Sequence, residues 1–193
     1  SVKSTRQITS AMKMVSAAKL RKAQDKILKL RPYAQKLHEI LVGLSQSLAE
    51  TQVENIYGRT NVPEKILLVV ITSNKGLCGA FNSNVIKETR RVISEKYPDQ
   101  FHRGNVMILP IGKKGYDFFR KQNLKMLPDC NYLLNELTFD NVMTVAEAVM
   151  QRFVAGEYDK VEIIYNQFRN AAVQNLTDEA FLPVETVMPG KTT

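Results

Sequence analysis

From Leu20 onward apolar residues recur at Ala23, Ile27, Leu30, Ala34, Leu37, Leu41, Leu44 and Leu48, in alternating steps of three and four. That spacing predicts an α-helix carrying a single apolar seam of coiled-coil period. An earlier stretch, Ile8, Met12 and Val15, lies one position out of this register, as a seam drifting around a straighter helix would. A helix over residues 1–48 would be roughly 70 Å long at about 1.5 Å per residue, longer than a small domain is wide, so part of it must project. Pro32 removes one backbone donor and predicts a bend, but the seam resumes in phase at Ala34 and argues against a break. An exposed stripe of this length needs a cover, and no other segment of the 193 residues has a comparable heptad run. The expected partner is another chain or a segment beyond this one, although residues 37–48 could pack on the globular part of the same chain.

The periodicity lapses at residues 49–64, where Asn55, Gly58, Asn61 and Pro63 predict a linker. Residues 65–72 are an apolar, β-branched run of strand length, apolar on both faces as a central parallel strand should be. A turn with Gly76 and Gly79 follows, then a helix capped at Ser83 or Asn84, with Val85, Ile86, Val92 and Ile93 on one face and Pro98 as its stop. Strands are expected at 106–111, 125–127, 161–168 and 171–182, the last two antiparallel across the tight Arg169-Asn170 junction. Helices are expected at 113–122 and 140–155, the latter with Val142, Val145, Val149 and Phe153 inward. The pattern predicts an α/β fold: a Rossmann-like, mostly parallel sheet with flanking helices over residues 65–185, preceded by the long helix and followed by a short tail at 186–193.

Composition sharpens this in one respect. Of 27 basic and 19 acidic residues, residues 1–38 hold ten basic side chains and one acid, Asp25, so the net charge of +8 is confined to the helix. Such asymmetry predicts an acidic partner there, whether protein, nucleic acid or anionic membrane. Against nucleic acid, the basic stretch has one aromatic, Tyr33, and no recognition motif. Against a membrane surface, the chain has no Trp and the charge runs around the helix. No run of 18 uncharged apolar residues is present, so no membrane-spanning helix is expected. Two cysteines, Cys78 and Cys130, make no disulfide framework and point to a reducing compartment. The start, Ser1-Val2-Lys3, without Met or an apolar signal core, suggests a fragment.

Candidate chemistry is sparse. The turn reads Gly-Leu-Cys-Gly, which fits neither a dinucleotide fingerprint nor a P-loop, and no acid ends the second strand to hold a ribose. The glycines are therefore expected to serve a sharp turn and close backbone packing rather than phosphate binding. His38 on the long helix and His102 in a polar loop are far apart, and no ligand pair has a metal-binding spacing, so neither metal nor cofactor is expected. Cys78 is either a thiol activated near a helix start or, more simply, a small buried turn residue.

Three segments carry a family resemblance. Residues 7–24, from Gln7-Ile8-Thr9-Ser10-Ala11-Met12 to Lys22-Ala23-Gln24, resemble the N-terminal helix signature of the gamma subunits of F-type ATP synthases, and Arg31-Pro32-Tyr33-Ala34 is similar to its continuation. Residues 71–82, Ile-Thr-Ser-Asn-Lys-Gly-Leu-Cys-Gly-Ala-Phe-Asn, resemble the family's strand-and-turn motif, and Tyr165-Asn166-Gln167-Phe168 adds a weaker match. The resemblance implies a non-catalytic central rotor stalk that couples proton-driven rotation to ATP synthesis or hydrolysis on a ring of alpha and beta subunits. It implies a coiled coil between the N-terminal helix and a C-terminal helix of the full-length chain, and contacts to the epsilon subunit and the membrane c-ring. It also implies a peripheral place on the cytoplasmic face of a bacterial inner membrane, without membrane insertion. By the same resemblance Met12, Lys13, Lys19, Arg21 and Lys22 match the shaft surface that meets the ring, and Lys75, Gly76, Leu77, Cys78 and Gly79 match a loop facing its lower rim.

Overall fold

The computed structural model describes residues 2–50, 62–122, 124–170 and 172–184, with the side chains of the first segment described at 2–37 and 40. They fall into two compact units, one made of residues 2–50 and one of residues 62–184. The first unit is a single helix, α1 (Val2–Glu50), 49 residues long, which runs through Pro32 without interruption. Most of the expected linker (residues 51–61), the expected tail (186–193) and the side chains of Leu41, Leu44 and Leu48 lie outside the described residues.

The second unit is a five-stranded sheet built around β1 (Ile66–Ile71). Its other elements are α2 (Phe81–Glu95), α3 (Pro98–His102), β2 (Val106–Ile111), α4 (Lys113–Phe119), β3 (Lys125–Met126), α5 (Phe139–Val154), β4 (Lys160–Phe168) and β5 (Gln174–Leu182), with short 3-10 turns at Arg120–Gln122 and Asn131–Leu134. The strand order is β3-β2-β1-β4-β5. β1 pairs parallel with both β2 and β4, and β4 pairs antiparallel with β5. Because β1 is central, its side chains are buried on both sides. Ile66, Leu68 and Val70 meet Val85 and Val92 of α2 and Phe119 of α4, whereas Leu67 and Val69 meet Val149 and Phe153 of α5. This two-sided burial explains why β1 reads as an uninterrupted apolar run.

Several expectations are corrected. α2 starts at Phe81 with Ala80 at its N-cap, and the Ser83 hydroxyl bonds back to the Ala80 carbonyl rather than capping the helix. His102 ends the short helix α3. Val142 is exposed in the second turn of α5, and burial in that helix is complete only from Val149. β5 begins at Gln174, because the Asn170 side chain accepts from the amides of Ala172 and Val173 and holds those residues in the turn.

The tightest backbone approach is at Gly112, between β2 and α4. Its φ is +113°, and a Cβ there would lie 2.2 Å from the Thr72 carbonyl oxygen. Thr72, buried at the end of β1, donates to the Gly112 carbonyl and accepts from the Gly115 amide at 2.9 Å, tying the two strand ends together.

Candidate functional site

Two surfaces carry the residues singled out in the sequence. On α1 the seam positions Ile8, Val15, Leu20, Ala23, Leu30, Ala34 and Leu37 are exposed and only Ile27 is half-buried. Leu30 is 67% and Leu37 59% exposed, values that ordinary folding within one chain would not leave along a whole helical stripe. Met12, Lys13, Lys19, Arg21 and Lys22 are exposed on the same helix.

The second surface lies at the carboxyl ends of the strands, where open α/β sheets bind ligands at the point where strand order reverses. In this sheet that point falls between β1 and β4. Asparagine side chains brace the strand ends on both sides of β1. Asn166 on β4 donates to the Phe81 carbonyl at 2.8 Å, across the switch point. Asn82 accepts from the Ser73 amide at 2.9 Å and donates to the Ser73 hydroxyl. Asn74 accepts from the Lys113 amide and donates to the Asn131 carbonyl, while Asn131 accepts from the Gly112 amide. A crevice laced by side-chain amides is a braced loop mount, with its polar groups spent on one another.

The loop so held projects Lys75, Gly76, Leu77, Cys78 and Gly79 into solvent. Leu77 is fully exposed and sits at φ +59°, a left-handed conformation that costs a non-glycine residue about 1–2 kcal/mol. Gly79 shares the left-handed region at φ +57° with open space where a Cβ would be, so it serves the turn and no close packing. Gly76 needs neither, since a Cβ would only touch the end of the Lys114 side chain. Cys78 is exposed, not buried: the chain turns outward before α2 begins, and its Sγ accepts from Asn82 Nδ2 at 3.1 Å. Burial and the neighbouring Asp129 push the thiol of Cys130 up, which makes it a poor nucleophile. Among the described residues no group of three His, Cys, Asp or Glu side chains is placed to hold a metal ion.

A third feature escaped the sequence reading. Glu162, near the start of β4, is buried and accepts from the Tyr97 hydroxyl at 2.7 Å and from Lys160 at 3.1 Å, with Lys96 at 3.6 Å. Lys96 also pairs with Asp178 on β5. Burial alone would raise the Glu162 pKa, but the bond from Tyr97 and the two lysines outweigh it and hold the carboxyl below its ordinary range. Asp178 goes the other way, raised by burial and by the Glu162 charge despite Lys96. Burial and Glu162 push the Tyr97 phenol up. The signal was one carboxylate inside an apolar strand, Val161-Glu162-Ile163-Ile164; Lys160 is its neighbour on β4, but Tyr97 and Lys96 come from the segment just after α2, some 65 residues away.

Known proteins resemble the chain along its length. The ATP synthase gamma chain of Flavobacterium johnsoniae is 52% identical over 185 residues, which cover 95% of this chain and 62% of that relative. The ATP synthase gamma chain of Cytophaga hutchinsonii is 44% identical, with 96% and 62% covered. The chain thus spans a little over three fifths of the length of these curated relatives. Among solved structures, the central stalk and c-ring structure of the Tetrahymena thermophila mitochondrial ATP synthase contains a chain matched with a TM-score of 0.64 at 28% identity, covering 96% of this chain and 80% of that one. A family model described as ATP synthase matches residues 1–192, and the chain therefore belongs to that family.

Proposed function

We propose that this chain is part of a gamma subunit, the central rotor stalk of an F-type ATP synthase, non-catalytic itself and turning inside a ring of alpha and beta subunits. The observation that carries the reading is the uncovered seam of α1, an apolar stripe on a cationic helix, in a chain 52% identical to an ATP synthase gamma chain. In this reading the cover is a C-terminal helix of the full-length chain, wound against Ile8, Val15 and the seam from Leu20 to Leu37. Lys13, Lys19, Arg21 and Lys22, with Met12, face acidic loops of the ring in this reading. Each exposed ion pair is worth about 0–1 kcal/mol, so these contacts guide the shaft without locking it. Rotation acts by biasing the ring's subunits toward different conformations at each orientation. The braced loop at Lys75–Gly79 meets the ring's lower rim, and the α/β unit meets the epsilon subunit and the c-ring on the cytoplasmic face of a bacterial inner membrane, peripherally. No helix among the described residues is long and apolar enough to cross a membrane.

Co-purification of the chain, extended to the length of its relatives, with the alpha and beta subunits of the same organism tests the proposal. One copy per three alpha-beta pairs, with rotation-coupled ATPase activity, is the expected result. An extended chain that stays out of the ring but binds DNA at physiological salt would falsify it.

A further inference from the structure

Beyond the two surfaces above, the α/β unit holds an amphipathic groove of about 630 Å³ between α2, α3 and α4. Its floor is aromatic and aliphatic. Phe118 and Phe119 meet edge to face at 5.3 Å, Ile93 and Leu124 flank them, and Phe101 stands 43% exposed on the wall. The charged side chains that line it are all basic: Lys87, Arg90 and Arg91. Arg91 is committed to Glu88 and to Glu95 at 2.7 Å, whereas Lys87 and Arg90 make no ion pair among the described residues. The sign matters because the chain beyond residue 38 is otherwise balanced, with 17 basic and 18 acidic residues. The uncompensated positive charge of Lys87 and Arg90 beside an apolar floor is therefore a local feature of the groove.

We infer that this groove docks an acidic amphipathic helix of a partner protein, its bulky apolar side chains on Phe118 and Leu124 and its carboxylates against Lys87 and Arg90. The cations are on exposed helical surface, where a small anion would gain little against water. Affinity must come from desolvating the aromatic floor, which requires an occupant that brings apolar anchors, and an open groove between helices suits a helix face with anchors at i, i+3, i+4 and i+7.

The probe is a fluorescein-labelled helical peptide of Leu, Phe and Glu, about 15 residues long, titrated against the whole chain at physiological salt and read by anisotropy. Saturable binding is expected, weakened about tenfold or more by K87E/R90E, because two rim contacts turn from attraction to repulsion. Phe101→Ser should weaken it as well, and K13E/K22E on α1 should leave it unchanged. The exchanged positions are exposed, and circular dichroism verifies that each variant folds. Binding that survives K87E/R90E, or that disappears in K13E/K22E, puts the acidic peptide on α1 and overturns the inference. So does a peptide that fails to bind wild type, or an oligonucleotide that binds the groove more tightly than the peptide does.

Discussion

Helix α1 and the α/β unit spend their apolar residues in opposite ways. In the unit, β1 is sandwiched between two layers, with Phe119 and Phe153 fully buried on opposite faces. In α1, Leu30 and Leu37 are as apolar and stand in the open. The seam spacing shows that the helix is no less ordered in design than the sheet. The stripe is largely uncovered among the described residues, so the helix gains little from tertiary packing, the usual main source of helix stability. One region is a finished fold; the other, in the proposed reading, is half of an interface.

That contrast can be broken by mutation, and the largest effects belong in the sheet unit. Phe153→Ala removes a fully buried ring and should cost about 3–5 kcal/mol in urea unfolding of the α/β unit. Gly112→Ala should cost about as much, since its Cβ would sit 2.2 Å from the Thr72 carbonyl at a φ of +113°, combining overlap with backbone strain. A soluble G112A protein with wild-type stability would show that the β1–β2 junction relaxes freely.

Glu162→Gln comes next, at about 1–3 kcal/mol near neutral pH, less than for a fully enclosed pair because Lys96 and Lys160 keep part of their charge in water. The Glu162 pKa is depressed in the fold, so its contribution is present above the unfolded carboxyl's pKa and is lost as pH falls through the folded value. Asp178, raised in the fold, acts with the opposite sign, favouring the native state as it takes up a proton. Unfolding midpoints followed from neutral to acid pH should therefore fall more steeply in wild type than in E162Q below the ordinary carboxyl range. Parallel curves would remove Glu162 from the acid response.

Smaller effects sharpen the comparison. Leu77→Gly relieves a left-handed residue that buries nothing and should stabilise the unit by about 0.5 kcal/mol after the entropy cost of glycine, read as a slightly higher melting temperature. Leu30→Ala should leave unfolding of the isolated chain within about 0.5 kcal/mol of wild type while weakening whatever covers the seam. A large destabilisation of the lone chain by Leu30→Ala would mean that the stripe is already covered.

The features legible in the sequence were those with local causes. The seam of α1, the doubly buried β1 and the antiparallel return at Arg169-Asn170 all follow from spacing along one contiguous stretch of chain. What stayed hidden depends on distant neighbours. Gly112 looks like an ordinary strand end until Thr72 is brought against it, and Glu162 is an odd charge in a strand until Tyr97 and Lys96 arrive from α2. Cys78 was misplaced because a glycine-flanked turn gives no sign of whether it folds inward or out. Val142 was misplaced because helical periodicity assigns a face without saying how far along the helix the sheet extends beneath it.

The exposed stripe also bears on how the chain is made. Ribosomes add roughly 5–20 residues per second, so Ile8 to Leu37 emerge many seconds before the sheet that follows them is complete. Uncovered apolar surface in that interval invites aggregation, and flanking charges are the usual guard against it. Ten basic side chains with one acid across residues 1–38 make nascent copies repel one another. The lysines assigned above to a partner surface thus also serve to keep the nascent helix in solution.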